Sequence, residues 1–414
     1  MRRSLVLITS VIVLASWSLL YLEPSQAATV IDLRSIPTAP VNTNTGPVPG
    51  RIANYFLMSR MDSSMVGDLA RYDVLILGLE NAVNNRSVLD AIRATNPNVK
   101  MLFYVQSNEF PIGGYQHNEP PDGPWHALLA SLDTTRHFLL DPSGKPAQFW
   151  PGTRSYNLTD QSVPPILAAW VAAQFVAYPW DGVFIDNVWT NMQWYCSGNV
   201  DGNRDGVKDD MSLFSQTWIT NLGWFGQLIR AKIGSQKYLV GNIGSDNGLD
   251  HSFWANAANG RMFEGFPNTL AIRSLGNAYL GDVPWRQPGL AVVHAEANPD
   301  EMAKIRFAWC FTLLGNGCFA VDHGPNSSAT PGDNGWHDEH RWYTELYAQP
   351  RGNPVTRACR EPVTGIWFRE YEQALVTWNP MPDPAKVEFI LRQGRRLNIF
   401  VPAHDGLVIN LSTP

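Results

Sequence analysis

Two short apolar runs each carry one carboxylate where a hydrophobic residue would be expected. Gly182-Val183-Phe184-Ile185 stops at Asp186-Asn187, followed by Val188-Trp189, and Met262-Phe263 runs into Glu264-Gly265-Phe266. A carboxylate in apolar surroundings is costly unless it is paired or used. Two acids at equivalent places offer one chemistry in particular. One, protonated, releases a leaving oxygen; the other, ionised, attacks or activates water, which is the division of labour that cleaving a glycosidic bond requires. The plainer reading has each acid held by an arginine or a backbone turn. It suits a lone carboxylate better than two in the same relative position beside Trp189 and Phe266.

Other chemistries find less support. The chain has no G-x-S-x-G nucleophile elbow, no H-E-x-x-H and no G-x-x-x-x-G-K-[ST] phosphate loop. Nothing calls for an organic cofactor. The His337-Asp338-Glu339-His340 cluster reads as the solvated face of a final helix, whose start favours acids. A separate signal follows Asp186. Asp201, Asn203, Asp205 and Asp209 place side-chain oxygens at positions one, three, five and nine of a loop with Gly206 at six, and Val207 would offer its carbonyl. That spacing predicts one structural calcium ion pinning the loop. Ser212 stands where the bidentate Glu of an EF-hand would be, so Asp209 or Asp210 would complete the shell.

The acids need elements to aim them. Apolar runs of strand length recur at 52–57, 73–79, 100–106, 182–188, 238–243, 261–266, 290–295 and 317–322. Helical periodicity lies between them near 62–71, 85–95, 164–178, 212–232, 249–258, 268–279 and 300–314, with a last helix near 337–348. Near-continuous apolar strands are those covered on both faces, and eight strand–helix units over 51–352 predict an α/β fold, a (β/α)8 TIM barrel. A doubly wound open sheet would want a Gly-rich turn after the first strand, and none follows it. Residues 353–414, with alternating runs and the Asn379-Pro-Met-Pro-Asp-Pro turn cluster, predict a small C-terminal antiparallel β-domain. The stretch 28–50 is expected to be a Pro/Thr-rich linker.

In such a barrel the active site lies at the C-terminal ends of the strands. Those ends supply Tyr55, Gln106, Asn187, Trp189, Asn242, Glu296 and Asp322 as candidate substrate contacts, with Asn54, Glu80, Ser107, Asn108, His294 and His323 nearby. Together they predict a polar and aromatic cleft, better matched to carbohydrate than to a greasy ligand.

Composition agrees. The chain has 414 residues, 44% of them hydrophobic and 16% charged, so it can bury a large core. Thirty-one Lys and Arg against 37 Asp and Glu give a net charge of −6, which argues against a phosphate-reading nucleic-acid binder. Met1-Arg2-Arg3, an apolar stretch to Leu22 and Ser25-Gln26-Ala27 form a signal-peptide pattern over 1–27. A secreted or periplasmic protein is expected, with no stable membrane insertion after cleavage; an uncleaved N-terminal anchor is the alternative. Four cysteines, without CxxC spacing, allow one or two disulfides in an oxidising space.

Several of these pieces resemble hypothetical glycosyl hydrolase family 15, barrel proteins distantly like endo-α-1,4-polygalactosaminidases. They are Tyr72-Asp73-Val74-Leu75-Ile76, Asp181 through Asn187, the Asp201–Asp209 loop and Arg261 through Phe266. The resemblance implies a secreted hydrolase of a polysaccharide or oligosaccharide, with Asp186 as nucleophile or base and Glu264 as proton donor. A non-catalytic carbohydrate-binding or cell-surface protein on the same scaffold is the alternative, because fold alone does not confer activity.

Overall fold

Runs such as Val74–Gly78 and Lys100–Gln106 have no polar face to offer water, so they are stable only when covered on both sides. The computed structural model of the protein describes residues 28–38, 51–112, 120–243, 254, 256–266, 279–280, 285–322 and 335–411. Eight such strands close into a parallel barrel in chain order. They are β1 (Arg51–Phe56), β2 (Val74–Gly78), β3 (Lys100–Gln106), β4 (Gly182–Asp186), β5 (Tyr238–Asn242), β6 (Gly260–Phe263), β7 (Val292–Glu296) and β8 (Cys318–Asp322). This is the TIM barrel expected from the sequence.

Side chains alternate across each strand, and that alternation decides what reaches the barrel axis. Tyr55, Leu102, Phe184, Val240, Met262 and Val292 fill one inward cluster. The inward positions one step further along β3, β4, β5 and β6 are then Tyr104 and Gln106, Asp186, Asn242 and Glu264. The register pairs Gln106 with Asp186 and Glu296 with Asp322. A greasy plug thus ends in a ring of polar groups at the C-terminal mouth.

Helices Val163–Ala177, Met211–Ile233 and Met302–Leu314 cover the outside. The last is buried at every position from Phe307 to Leu314, Phe-Ala-Trp-Cys-Phe-Thr-Leu-Leu, which a helix covered on opposite faces requires. It lies between the barrel strands β7 and β8 and the C-terminal strands Ala374–Asn379 and Asp405–Asn410. Gly406 permits that contact, since a Cβ there would sit 2.4 Å from the Cβ of Cys310. A helix over Pro124–Ser131 was not foreseen. The expected helices at 249–258 and 268–279 lie largely outside the described residues, as does the signal segment 1–27. No described helix is long and apolar enough to cross a membrane.

Three expectations are corrected. The start of the 28–50 stretch is not linker. Thr29–Asp32 forms a strand parallel to Ala385–Ile390, with Ile31 beside Phe389, and it joins Arg396–Val401 in a three-stranded sheet. Ile31 and Leu33 are buried in the core of the C-terminal domain with Phe368 and Val387. Four residues carry too little periodicity to declare a strand, and the partner lies at the far end of the chain. The presumed last helix is also broken, reduced to a 3-10 turn at Glu339–Arg341 and one turn at Thr344–Tyr347. Glu339 and His340 are buried rather than solvated. Finally, all four cysteines are free thiols.

Candidate active site

The ends of β4, β5 and β6 bring together the residues the sequence singled out. Asn242, last residue of β5, stands between the strands that carry the two acids. Its Nδ2 donates to Oδ1 of Asp186 at 2.9 Å and to Oε2 of Glu264 at 2.8 Å. Both bonds leave one nitrogen, so the two oxygens lie less than about 6 Å apart, and about 5 Å apart when they follow the two N–H directions of a planar amide. Glu264 lies just past β6, in a turn closed by Gly265 at φ 63°, a left-handed conformation in which glycine carries no Cβ penalty. It is partly exposed at the mouth, as is Asp186.

The other Asp186 oxygen is taken by a residue the sequence reading missed. The Tyr104 hydroxyl donates to Oδ2 at 2.6 Å, and Gln106 Nε2 donates to that hydroxyl at 3.2 Å. Inward alternation along β3, two steps at a time from Leu102 through Tyr104 to Gln106, was the available signal. Burial, then the charge of Glu264, pushes the Asp186 carboxyl up to about 6, while the bonds from Tyr104 and Asn242 pull the other way. The acid is therefore a carboxylate above about pH 6 and accepts at both oxygens.

The far side of the mouth is built by β7, β8 and β1. His294 is buried, 3.8 Å from Asp322 and edge-on to Tyr55 at 5.9 Å between ring centroids. Burial alone would strip His294 of its proton. Asp322, with Glu264 and Glu296 behind it, outweighs that and holds the imidazole above its ordinary value. Tyr55 packs on Tyr104 and Phe184, so its ring forms the floor. Four carboxylates, Asp186, Glu264, Glu296 and Asp322, face one imidazole among these residues.

Two predicted contacts sit differently. Asn187 is buried, with φ 55°, a strained conformation for a non-glycine residue, and its Nδ2 has no partner among the described residues. The Ser107 hydroxyl donates to its carbonyl at 2.7 Å. Trp189 turns into an aromatic cluster with Phe149, Trp194 and Tyr195 rather than onto the acids. Asn54, expected in the lining, points outward from β1 and donates to Glu339 at 2.9 Å. His323 lies outside the described residues.

The Asp201–Asp209 loop is a chain of backbone-to-carboxylate turns. Asp201 accepts from the amides of Asp205 and Gly206, Asp209 from Gly202, and Asp205 from Val207. Asn203 accepts from the Asp205 amide at 3.0 Å. Among the described residues no group of three or more His, Cys, Asp or Glu side chains is arranged to hold a metal ion.

Comparison with known proteins finds no match among curated proteins. Among solved structures, an α-amylase from Malbranchea cinnamomea aligns over 87% of this chain and 96% of its own, with 11% identity and a TM-score of 0.52. Amy13B of Eubacterium rectale aligns over 90% of this chain and 99% of its own, with 12% identity and a TM-score of 0.50. At such identities the likeness is one of fold. The family match is more specific, spanning residues 93–375 and so both acids and the amide between them. The chain belongs to hypothetical glycosyl hydrolase family 15.

Proposed function

We propose that the protein is an extracytoplasmic glycoside hydrolase that cleaves a polysaccharide with retention, using Asp186 as nucleophile and Glu264 as proton donor. The observation that carries this reading is the Asn242 amide, whose one nitrogen donates to both acids and so keeps an oxygen of Asp186 and an oxygen of Glu264 less than about 6 Å apart. Retaining pairs stand ~5–5.5 Å apart, whereas inverting pairs leave ~6.5–9.5 Å for an intervening water.

The roles follow from the partners. Both Asp186 oxygens accept hydrogen bonds, which favours the ionised form and fixes its direction. Asp186 attacks the anomeric carbon as the glycosidic C–O bond breaks, and Glu264 passes its proton to the departing oxygen. Water then gives a proton back to Glu264 and attacks the same carbon, releasing Asp186. The imidazole of His294, held above its ordinary value by its acid neighbours, is the group that can take up positive charge and limit repulsion in the mouth. Four carboxylates against that single imidazole disfavour polyuronates and leave neutral or amino sugar chains as the substrate class.

The test is release of reducing ends from starch, chitosan and polygalacturonate by the mature protein, beside Asp186→Asn and Glu264→Gln variants. Turnover by the parent and its loss in both variants supports the reading; full activity in both overturns it. Proton NMR of the first-formed anomer reads the stereochemistry, and inversion would remove the nucleophile role.

Location and metal are also proposals. Export rests on the pattern over 1–27 and is tested by whether the mature chain begins at Ala28. Calcium in the Asp201–Asp209 loop rests on the oxygen spacing and on Gly206 at φ 81°, the sharp turn that such loops need. The ion would steady the segment between β4 and Met211–Ile233.

A further inference from the structure

Beside the mouth, two loops meet in a patch of rings that the two-carboxylate chemistry does not use. Phe149 and Trp150 come from the segment after β3; Trp189, Trp194 and Tyr195 come from the segment after β4. Phe149 sits at the centre, 4.8 Å from Trp150, 5.1 Å from Trp189 and 5.2 Å from Trp194 between ring centroids. Core aromatics would be covered, yet Trp150 is 45% exposed and Trp194 41%. Large apolar rings left in water beside a polar mouth mark a contact surface.

The patch is held rigid by an acid of its own. Glu109, wholly buried in the short antiparallel strand pair Glu109–Pro111/Thr153–Ser155, accepts from the backbone amides of Phe149 and Trp150. It also accepts from the hydroxyls of Thr153, Ser155 and Tyr195, at 2.7, 3.1 and 3.0 Å. A buried carboxylate so fully satisfied fixes both loops at once, since it bonds the backbone carrying Trp150 and the ring beside Trp194. Cys196 and Ser197, next along the second loop, both sit at positive φ, at 48° and 56°. Side chains rarely adopt that conformation, so the loop is paying strain to keep its shape.

The two loops that carry the patch are also rooted at the mouth. Trp189 is three residues from Asp186, and the Trp189 amide donates to the Asn187 carbonyl at 2.8 Å. The Ser107 amide in turn donates to the carbonyl of Asp186 at 2.9 Å, tying the roots of both loops to the acid itself.

We infer that Trp150 and Trp194 form a stacking subsite for the sugar chain outside the bond being cleaved, so that the protein grips its polysaccharide along the β3 and β4 loops. The apolar C–H faces of pyranose rings lie on indole faces, and a rigid platform loses little entropy on binding. This inference rests on the proposed reading of a carbohydrate substrate, but it concerns binding and not bond cleavage.

The test uses the full-length mature Asp186→Asn protein, which binds without consuming its ligand, with soluble starch and chitosan as probes. Tryptophan oxidation is followed residue by residue by mass spectrometry, with and without each polymer. Trp224, 40% exposed on helix Met211–Ile233, is the internal control. Slowing of oxidation at Trp150 and Trp194 by threefold or more, with Trp224 unchanged, is the expected result. Equal oxidation with and without both polymers overturns the inference. A second arm replaces both residues, Trp150→Ala and Trp194→Ala, in the active protein. The ratio of kcat/KM on polymer to that on an aryl monoglycoside should fall at least tenfold, and an unchanged ratio overturns the subsite. Protection of both tryptophans together with no turnover by the parent protein would sink the catalytic reading and leave the platform standing.

Discussion

Two groups of carboxylates sit in and around one barrel and differ in almost every partner. At the mouth, Asp186 and Glu264 share a neutral amide, and Asp186 adds a phenol hydroxyl. On the flank, in the helix layer beside β1, Asp68 meets His340 at 3.0 Å, Arg341 at 2.7 Å and His337 at 3.2 Å. Glu339 there accepts from Tyr72 and Asn54 at 3.0 and 2.9 Å. Consecutive residues of β1 divide the two: Tyr55 faces in to the mouth and Asn54 faces out to Glu339. The flank acids are locked by cations and donors and have nothing left to do. Among the described residues no arginine pairs with the mouth acids, and that leaves their protons available for chemistry.

Breaking the mouth pair should have the largest effect. Asp186→Asn or Glu264→Gln should lower kcat by about 10³-fold or more while thermal melting stays within a few degrees, because neither amide leaves an unpaired charge behind. A variant melting far below the parent would move that acid into the structural class. Next in size is Tyr104→Phe, which removes the 2.6 Å donor to Asp186. That bond favours the ionised form, so without it the carboxyl titrates higher. The acid limb of the kcat/KM profile, expected near pH 6 in the parent, should move to higher pH, and activity at pH 6 should fall about tenfold. An unmoved limb would detach Tyr104 from the reacting group.

The flank predicts the opposite phenotype, a change of stability with pH. Burial pushes the Glu339 carboxyl up to about 8, so the folded protein keeps this proton where the unfolded chain, with an ordinary glutamate, has lost it. Its contribution is then complete below the unfolded value, near 4.5, and drains away as pH rises towards 8. Glu339→Gln keeps the uncharged shape at every pH. The melting temperature of the parent minus that of the variant should therefore decline from pH 5 to pH 8, by about 1 °C per kcal/mol lost. A flat difference would mean that Glu339 stays ionised and solvated, as the sequence alone suggested.

That contrast also marks what the sequence could carry. Eight apolar runs with a fixed alternation made the barrel legible, and an acid two steps beyond a core residue, as Asp186 follows Phe184, points inward by the same rule. The pairing by Asn242 was not legible, since it depends on how far neighbouring strands are staggered around the barrel. Tyr104 was hidden because an aromatic in an apolar strand looks like core, and half of it is: its ring packs on Tyr55 while its hydroxyl serves the acid. Glu339 misled for the reverse reason. An Asp-Glu-His run reads as surface by composition, and only the outward turn of Asn54 and Tyr72 makes a buried seat for it. The N-terminal strand Thr29–Asp32 could not be seen either, because its partner lies more than 350 residues away.

The Asp201–Asp209 loop takes the comparison to its limit, acids held by backbone amides. Asp201 accepts from the amides of Asp205 and Gly206, and Asp209 from Gly202, so the backbone itself satisfies them. Calcium would add only what is left once the like charges of Asp201, Asp205 and Asp209 are relieved, and an ion that binds the folded form stabilises by RT ln(1 + [L]/Kd). Saturating calcium should therefore raise the melting temperature by only about 1 °C, corresponding to roughly 1 kcal/mol in a chain of this size, and chelator should reverse it. In Asp205→Ala the shift should vanish while the chelated proteins melt close together. A shift of tens of degrees would show instead that the loop depends on its ion to fold, and no shift at all would leave the oxygen spacing as a turn pattern alone.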